Sequence, residues 1–407
     1  MAPQRPAQGR ARSNSVKEAL AQLEPERSAA AKRGRPAWTA PSGPLAWFVR
    51  PEDSLKVIVG VAAAWLAVDR FAGPERNPFA PFLFISYPLA PEAGDNGNRY
   101  GKGFRDFMFL LYYIVVFSFL RQTVTEYLVR PLARKLGLRT ESKQQRFMEQ
   151  AYAVIYFSAS SAYGLYVMSR QDSWWYRTEH FWLKYPHWRM DGALKSYYLL
   201  QFSYWLQQMI VLVLRLEKPR SDFTELVIHH IVTLWLVGWS YLLNFTMIGT
   251  AIFVSMDIPD IFLAFSKCLN YMELQHTSEV SFVVFIAVWH YMRHYLNIRI
   301  LQSVWQQYEL IPPQWSSWTA PHKGWWLFYG FGSGAIPHWM KYQIFAPILA
   351  LQLVNTFWSF LIWRILFRIA TGQKGSDVRE EEEDKAEEAQ LRAGSGEGQR
   401  VESKKGR

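Results

Sequence analysis

Apolar residues along the 407-residue chain are gathered into long blocks instead of alternating with polar ones. Residues 151–168, 196–214 and 342–363 each run 18 or more positions without Asp, Glu, Lys or Arg. That exceeds what a soluble core helix needs and approaches the roughly 20 residues that cross a bilayer. The same pattern predicts helices at 55–72, 104–129, 147–168, 194–216, 224–243, 246–267, 278–298 and 342–367. The first is the weakest, because its uncharged stretch, 57–68, ends at Asp69 and Arg70. The expected architecture is an all-α polytopic membrane protein of about eight transmembrane helices.

Residues 226–266 contain only two formal charges, Asp257 and Asp260, over twice the length of one crossing. The chain must turn midway, and Asn244-Phe245-Thr246 is the natural break between two antiparallel helices. That tripeptide is also an N-glycosylation sequon, although a tight turn against the bilayer leaves its acceptor little room to be reached.

Composition adds the ends of the chain. Half of the residues are hydrophobic and 16% aromatic, yet the mean hydropathy is only −0.10, so the polar content must sit outside the apolar blocks. Residues 1–50 read as a disordered basic cytosolic tail and 51–97 as the first transmembrane helix with its loop. Residues 372–407, with the acidic run 380–384 followed by Glu387 and Glu388, read as a solvated acidic tail. A soluble globular enzyme is excluded. The single cysteine, Cys268, leaves neither an intrachain disulfide nor a CxxC zinc site.

The net charge of +11 fits a cytosolic membrane rim better than nucleic-acid binding. The loop 130–146 carries Arg130, Arg134, Lys135, Arg139, Lys143 and Arg146 against one acid, Glu141, which marks it as cytosolic. Eight spans then put both termini in the cytosol. The loop 169–195 is mildly discordant, with five basic residues on the far side; its Trp174, Trp175, Trp182 and Trp188 resemble an interfacial aromatic belt.

The chemistry concentrates in the hairpin. His229 and His230 lie about 6 to 8 Å inside the start of one helix, and Asp257 and Asp260 about 10 to 15 Å inside the end of its partner, at 1.5 Å per residue. All four fall in the cytosolic leaflet, and the i, i+3 aspartates share a face that the hairpin can bring to the histidines. Each aspartate costs on the order of 2.5 to 3.5 kcal/mol to insert, which asks for a function. The plainer reading is interhelical glue satisfied by neighbouring Ser, Tyr or His. An imidazole near pH 7 can instead act as general base, proton donor or acyl acceptor, oriented by an acidic partner. His290 and His294 frame Arg293 as an HxxxH pair, read as supporting polar groups in preference to metal ligands. Arg293 either snorkels or binds a carboxylate, or holds a phosphate or pantetheine carbonyl.

These residues resemble the ceramide synthases of the Lag type, whose membrane domain is the TLC domain, and the fungal branch in particular. The resemblance is carried by Glu225-Leu-Val-Ile-His-His-Ile-Val-Thr233, Trp239-Ser-Tyr241, Ser255-Met-Asp257-Ile-Pro-Asp260-Ile-Phe-Leu-Ala264, and Lys267 through Asn270-Tyr271. Tyr100-Gly-Lys-Gly-Phe-Arg-Asp106, Arg146-Phe-Met-Glu-Gln150, residues 213–220 and Arg293-His-Tyr-Leu-Asn-Ile-Arg299 add to it, so that it spans roughly 98–371. Pro259 departs from the serine often found in fungal relatives, and a proline there should kink the helix and remove a hydroxyl.

The resemblance implies a TLC catalytic membrane domain at 98–371 that N-acylates a sphingoid base, sphinganine or phytosphingosine, with a long or very long fatty acyl-CoA in the endoplasmic reticulum membrane. Fatty acyl-CoA is co-substrate and CoA product, with no other cofactor and no metal. His229, His230, Asp257 and Asp260 would be catalytic; Arg293, His290, Tyr241 and Lys267 would bind substrate. Implied partners are the lipid bilayer, a homo- or heterodimer and a small single-span accessory subunit, with no nucleic acid. The rival readings are a non-enzymatic TLC-type lipid-binding or translocation-associated protein, and a metal-dependent hydroxylase. Arg10-Ala-Arg12-Ser13-Asn14-Ser15 is an RxRxxS pattern that makes Ser15 a candidate regulatory phosphorylation site in the tail.

Overall fold

The computed structural model describes residues 47–48, 50–74, 77–90, 97–138, 140–214, 223–315, 336 and 338–371. Most of the 1–50 tail with Ser15, the 372–407 tail and residues 215–220 of the 213–220 motif lie outside the described residues.

Each apolar block forms a long helix. In chain order these are α1 (Pro51–Ala72), α2 (Arg105–Lys135), α3 (Glu141–Ser169), α4 (Gly192–Val213), α5 (Phe223–Leu242) and α6 (Thr246–Tyr271). Helix α7 (Gln275–Trp289) runs through a π-helical segment, His290–Leu296, into α8 (Asn297–Gln306), and α9 (Met340–Ala370) follows. Four of these, α2, α5, α6 and α9, are long and apolar enough to cross a membrane.

Local chemistry sets the helix ends. Pro51 opens α1, with Glu52 and Asp53 in its first turn facing the positive end of the helix dipole. Asp191 caps α4 by accepting from the Ala193 N–H at 2.8 Å. The structure also departs from a purely helical chain. Three two-residue strands, β1 (Pro88–Leu89), β2 (Arg99–Tyr100) and β3 (Met190–Asp191), form an antiparallel sheet in that order, pairing Pro88 with Tyr100 and Arg99 with Asp191. It ties the segment before α2 to the segment before α4.

Helix α6 is the centre of the bundle, packed along α3, with α7, α5 and the π-helical segment also against it. Gly164 permits the close approach of α3: a Cβ there would meet the Tyr197 hydroxyl at 2.5 Å and Val254 at 2.9 Å. Helix α6 runs unbroken through Pro259, which removes the N–H that would otherwise bond the Ser255 carbonyl.

The segment between α3 and α4 corrects part of the expected aromatic belt. Trp174 and Trp175 are exposed, as a belt requires, and Trp188 is half-buried. Trp182 is fully buried, its ring edge-on to Phe245 at 5.6 Å and to Tyr308 at 5.5 Å. Tyr176 and Tyr185 donate their hydroxyls to the carbonyls of Ala251 and Leu243 at 3.0 and 2.8 Å. These side chains bind the far end of the α5–α6 hairpin, so they are core, not rim.

The hairpin turn stands where the sequence places it. Asn244 takes a left-handed φ of 64°, a conformation its short polar side chain tolerates. Lys102 donates its ammonium to the carbonyls of Tyr241 and Leu242 and to Asn244 Oδ1, satisfying the orphan end of α5. Asn244 is buried and Thr246 fully so. The sequon is therefore a structural turn, and we expect no glycan on it: endoglycosidase treatment of protein isolated from membranes should leave the gel mobility of the parent and of an Asn244→Gln variant identical. A shift in the parent alone would show that the turn opens.

Candidate active site

Helix α5 carries His229 and His230 two turns from its start, where Phe223-Thr-Glu-Leu-Val-Ile offers no other group able to move a proton at that depth except Glu225. Both imidazoles are buried. His230 Nδ1 lies 2.8 Å from the Leu226 carbonyl; a carbonyl can only accept, so Nδ1 carries the hydrogen and the neutral ring keeps its lone pair on Nε2. His229 has no hydrogen bond to any described residue, and its Nδ1 is buried. Packing alone fixes it: Trp205 of α4 stands edge-on to both rings, at 5.7 and 5.5 Å, and Trp358 of α9 lies 5.2 Å from His229.

Helix α6 supplies the aspartates. Asp257 is buried, and its Oδ2 accepts from Ser160 Oγ of α3 at 2.5 Å and Gln201 Nε2 of α4 at 2.6 Å. Gln201 is itself held by Tyr156, whose hydroxyl donates to its Oε1 at 2.7 Å. The other carboxylate oxygen, Oδ1, is buried with no hydrogen-bond partner among the described residues. Asp260, one turn on, pairs with Arg293 of the π-helical segment at 2.7 Å. Arg293 also donates to the Met256 carbonyl at 2.6 Å and stacks on Trp289 with 4.2 Å between guanidinium and ring.

The two aspartates thus divide. Three residues turn a helix by about 300°, which leaves them some 60° apart. That angle sends Asp257 toward α3 and α4 and Asp260 toward the π-helical segment. The expected hydrogen bond between Asp257 and an imidazole is absent, because Ser160 and Gln201 hold the carboxylate. What joins Asp257 to His229 is a shared cavity.

That cavity lies between α4, α5, α6 and α9, in about 760 Å³ of atom-free space that includes its opening to the outside. His229 and Asp257 line it with Thr233; Trp239, Leu243, Phe245, Ile252 and Leu351 are among its apolar walls. From His229 to Leu243 the α5 wall is about 21 Å long at 1.5 Å per residue. Gly249 of α6 also lines the cavity, and the Tyr198 hydroxyl occupies the space that a Cβ there would need.

The remaining sequence candidates sit elsewhere. Arg293 is bound within the bundle, which matches the carboxylate-pairing reading of this residue. His290 donates from Nδ1 to the Ile286 carbonyl at 2.8 Å and accepts at Nε2 from Trp363 Nε1 at 3.0 Å, so both ring nitrogens are engaged. Tyr241 donates to Asp106 at 2.8 Å near the hairpin turn, at the opposite end of α5 from the histidines. Asp106 in turn pairs with buried Lys195 at 2.8 Å. Lys267 lies on α6 ten residues beyond Asp257 and does not line the cavity. Sequence reasoning missed Ser160, Gln201, Tyr156, Trp205 and Trp358. The uncharged 196–214 block holds three glutamines, Gln201, Gln207 and Gln208, and nothing local singles out the first.

A family model of the TLC domain matches residues 146–364. The chain is 41% identical over 302 residues to sphingosine N-acyltransferase lac1 of Schizosaccharomyces pombe, covering 74% of each protein. It is 40% identical over 296 residues to ceramide synthase LAG1 of Saccharomyces cerevisiae, covering 72% of this chain and 67% of that one. Similarity extends to ceramide synthase hyl-1 of Caenorhabditis elegans, at 30% over 246 residues, 60% of this chain and 62% of the relative.

Proposed function

The chain belongs to the TLC-domain family, and from that premise we infer that it is a ceramide synthase, an N-acyltransferase that joins a fatty acyl group from acyl-CoA to the amine of a sphingoid base. The observation that carries the reading is the apolar cavity that has His229 and Asp257 on its wall. Its walls suit an acyl chain, and its titratable groups suit the thioester end.

In the proposed reaction the base's amine attacks the thioester carbonyl, a C–N bond forms, the C–S bond breaks, and the amine proton passes to the departing thiolate. His229, held by rings and without a hydrogen bond to any described residue, either takes that proton as general base or accepts the acyl group first as an acyl-imidazole. Asp257 presents Oδ1 while Ser160 and Gln201 hold Oδ2. That arrangement suits acceptance from the substrate ammonium or a hydroxyl. His230 supports the site through its ring contacts with Trp205 and His229, and Asp260 acts through Arg293. The 98–371 region would form the catalytic unit.

We further propose that all eight long helical units cross the endoplasmic reticulum membrane with both termini cytosolic, so that the basic 130–146 end meets CoA. A dimer, an accessory subunit, phosphorylation of Ser15 and the choice among sphinganine, phytosphingosine and acyl lengths are proposals of the same standing. The test is mass spectrometry of products from the purified full chain given mixed acyl-CoAs and sphinganine. N-acylated sphinganine with stoichiometric CoA release is expected. Lipid binding without any amide product would return the chain to the non-enzymatic class.

A further inference from the structure

A second polar tract lies outside the cavity, between α9 and the π-helical segment. Helix α9 presents Gln352, Asn355 and Ser359 at i, i+3 and i+7, one helix face. Opposite them stand His290, Arg293, His294 and Asn297, where the π-helical turns re-aim the side chains, a device frequent at functional sites. Asn297 Nδ2 donates to Gln352 Oε1 at 2.7 Å, and Gln352 Nε2 donates to His294 Nδ1 at 2.7 Å.

What this network leaves over is specific. Asn297 and Asn355 are both fully buried, yet neither Oδ1 has a hydrogen-bond partner among the described residues. The Asn355 amide N–H reaches only the Met256 sulfur, at 3.7 Å, a weak acceptor. His294 accepts at Nδ1, so its neutral ring carries its hydrogen on Nε2, and that buried atom is also without a partner. Interhelical glue would pair these groups with one another, because an unsatisfied buried polar atom costs free energy that hydrocarbon cannot return. The tract keeps two carbonyl acceptors unspent, and two N–H donors beside them, His294 Nε2 and Arg293 Nε.

That inventory selects among ligands. A phosphate needs cations or several N–H donors, and the charge of Arg293 is already paired with Asp260 while its Nη2 bonds the Met256 carbonyl, which leaves its Nε–H beside His294 Nε2. An amino alcohol fits instead: its amine and hydroxyl hydrogens suit the two carbonyls, and a hydroxyl oxygen suits the His294 N–H. The tract's outer edge, at Trp363, is exposed on the outside of the bundle, so a ligand can arrive from the bilayer. Its inner edge is Met256, which lines the His229 cavity while Asn355 rests on its sulfur.

We propose that this tract is the subsite for the amino-diol headgroup of the sphingoid base, with Asn355 and Asn297 as its acceptors and His294 as its donor. Met256, an unbranched and adaptable side chain, is the movable partition across which the amine reaches the thioester. The proposal rests on the ceramide synthase reading.

The experiment uses purified full-length protein with three amines of equal chain length: sphinganine, its analogue without the 1-hydroxyl, and a plain alkyl amine. In the parent, KM should rise at least about tenfold from sphinganine to the plain amine, the effect of losing about one hydrogen bond. Asn355→Leu and Asn297→Leu should raise KM for sphinganine by a similar factor, leave KM for acyl-CoA within about twofold, and erase most of the preference over the plain amine. Equal KM values for the three amines in the parent would overturn the proposal without recourse to any variant, as would Leu variants that raise both substrates' KM together. A parent that forms no amide from any amine would instead refute the ceramide synthase reading itself.

Discussion

His229→Ala should lower ceramide formation by at least two orders of magnitude while protein yield in the membrane stays near that of the parent. The factor is the lower end of what a positioned general base contributes, and it corresponds to about 2.7 kcal/mol of activation free energy. Stability should change little because His229 makes no hydrogen bond to any described residue that its loss would orphan; its ring contacts with Trp205, His230 and Trp358 are given up. His230→Ala should also impair turnover, by removing the ring that packs against Trp205 and His229. A His229→Ala enzyme that turns over normally would sink the mechanism. The chemical route separates in one further measurement, intact-mass analysis of rapidly quenched enzyme after acyl-CoA alone. One added acyl group in the parent that disappears in His229→Ala indicates an acyl-imidazole; an unmodified parent with full activity indicates a general base.

The sequence announced His229 with His230 because an imidazole can act as base or acyl acceptor near pH 7, and because the two aspartates of the partner helix carry an insertion cost that packing does not require. It announced the hairpin because 41 residues with two charges cannot cross once. Long helices occur at all eight predicted blocks because block length depends on local composition. The partners of Asp257 were hidden for the opposite reason. Ser160 and Gln201 are each one among several polar residues on α3 and α4, separated from Asp257 by 97 and 56 positions, and nothing local distinguishes them from ordinary helix polarity. The i, i+3 spacing of the aspartates suggested one shared face, but a 60° difference is enough to give them different neighbours. Trp182 misled in the same way: an aromatic in a loop beside the membrane reads as an interfacial anchor until the hairpin turn is seen to pack over it.

The Asp260–Arg293 pair should be a stability element whose halves cannot be removed singly. Arg293→Met would leave a carboxylate with its ion-pair partner gone and the Met256 carbonyl with one donor fewer. Breaking a buried pair costs about 3 to 5 kcal/mol, and the lower figure applies because the Asp260 side chain is 24% exposed. For a chain of this size that predicts a fall in thermal midpoint on the order of 3–5 °C and a reduced yield from membranes. Asp260→Asn should be milder, because the amide oxygen can still accept from the guanidinium. The combination Arg293→Met with Asp260→Asn removes both charges, so it should recover most of the lost midpoint, as replacement of a buried pair by uncharged groups often does. Activity then distinguishes the two readings of the arginine. If it serves only the pair, the double variant regains turnover together with stability; if it binds substrate, the double variant folds but its KM for acyl-CoA or sphingoid base stays high. A double variant no more stable than Arg293→Met would show that the guanidinium matters through Trp289 and the Met256 carbonyl, and that its pairing with Asp260 adds nothing to the fold.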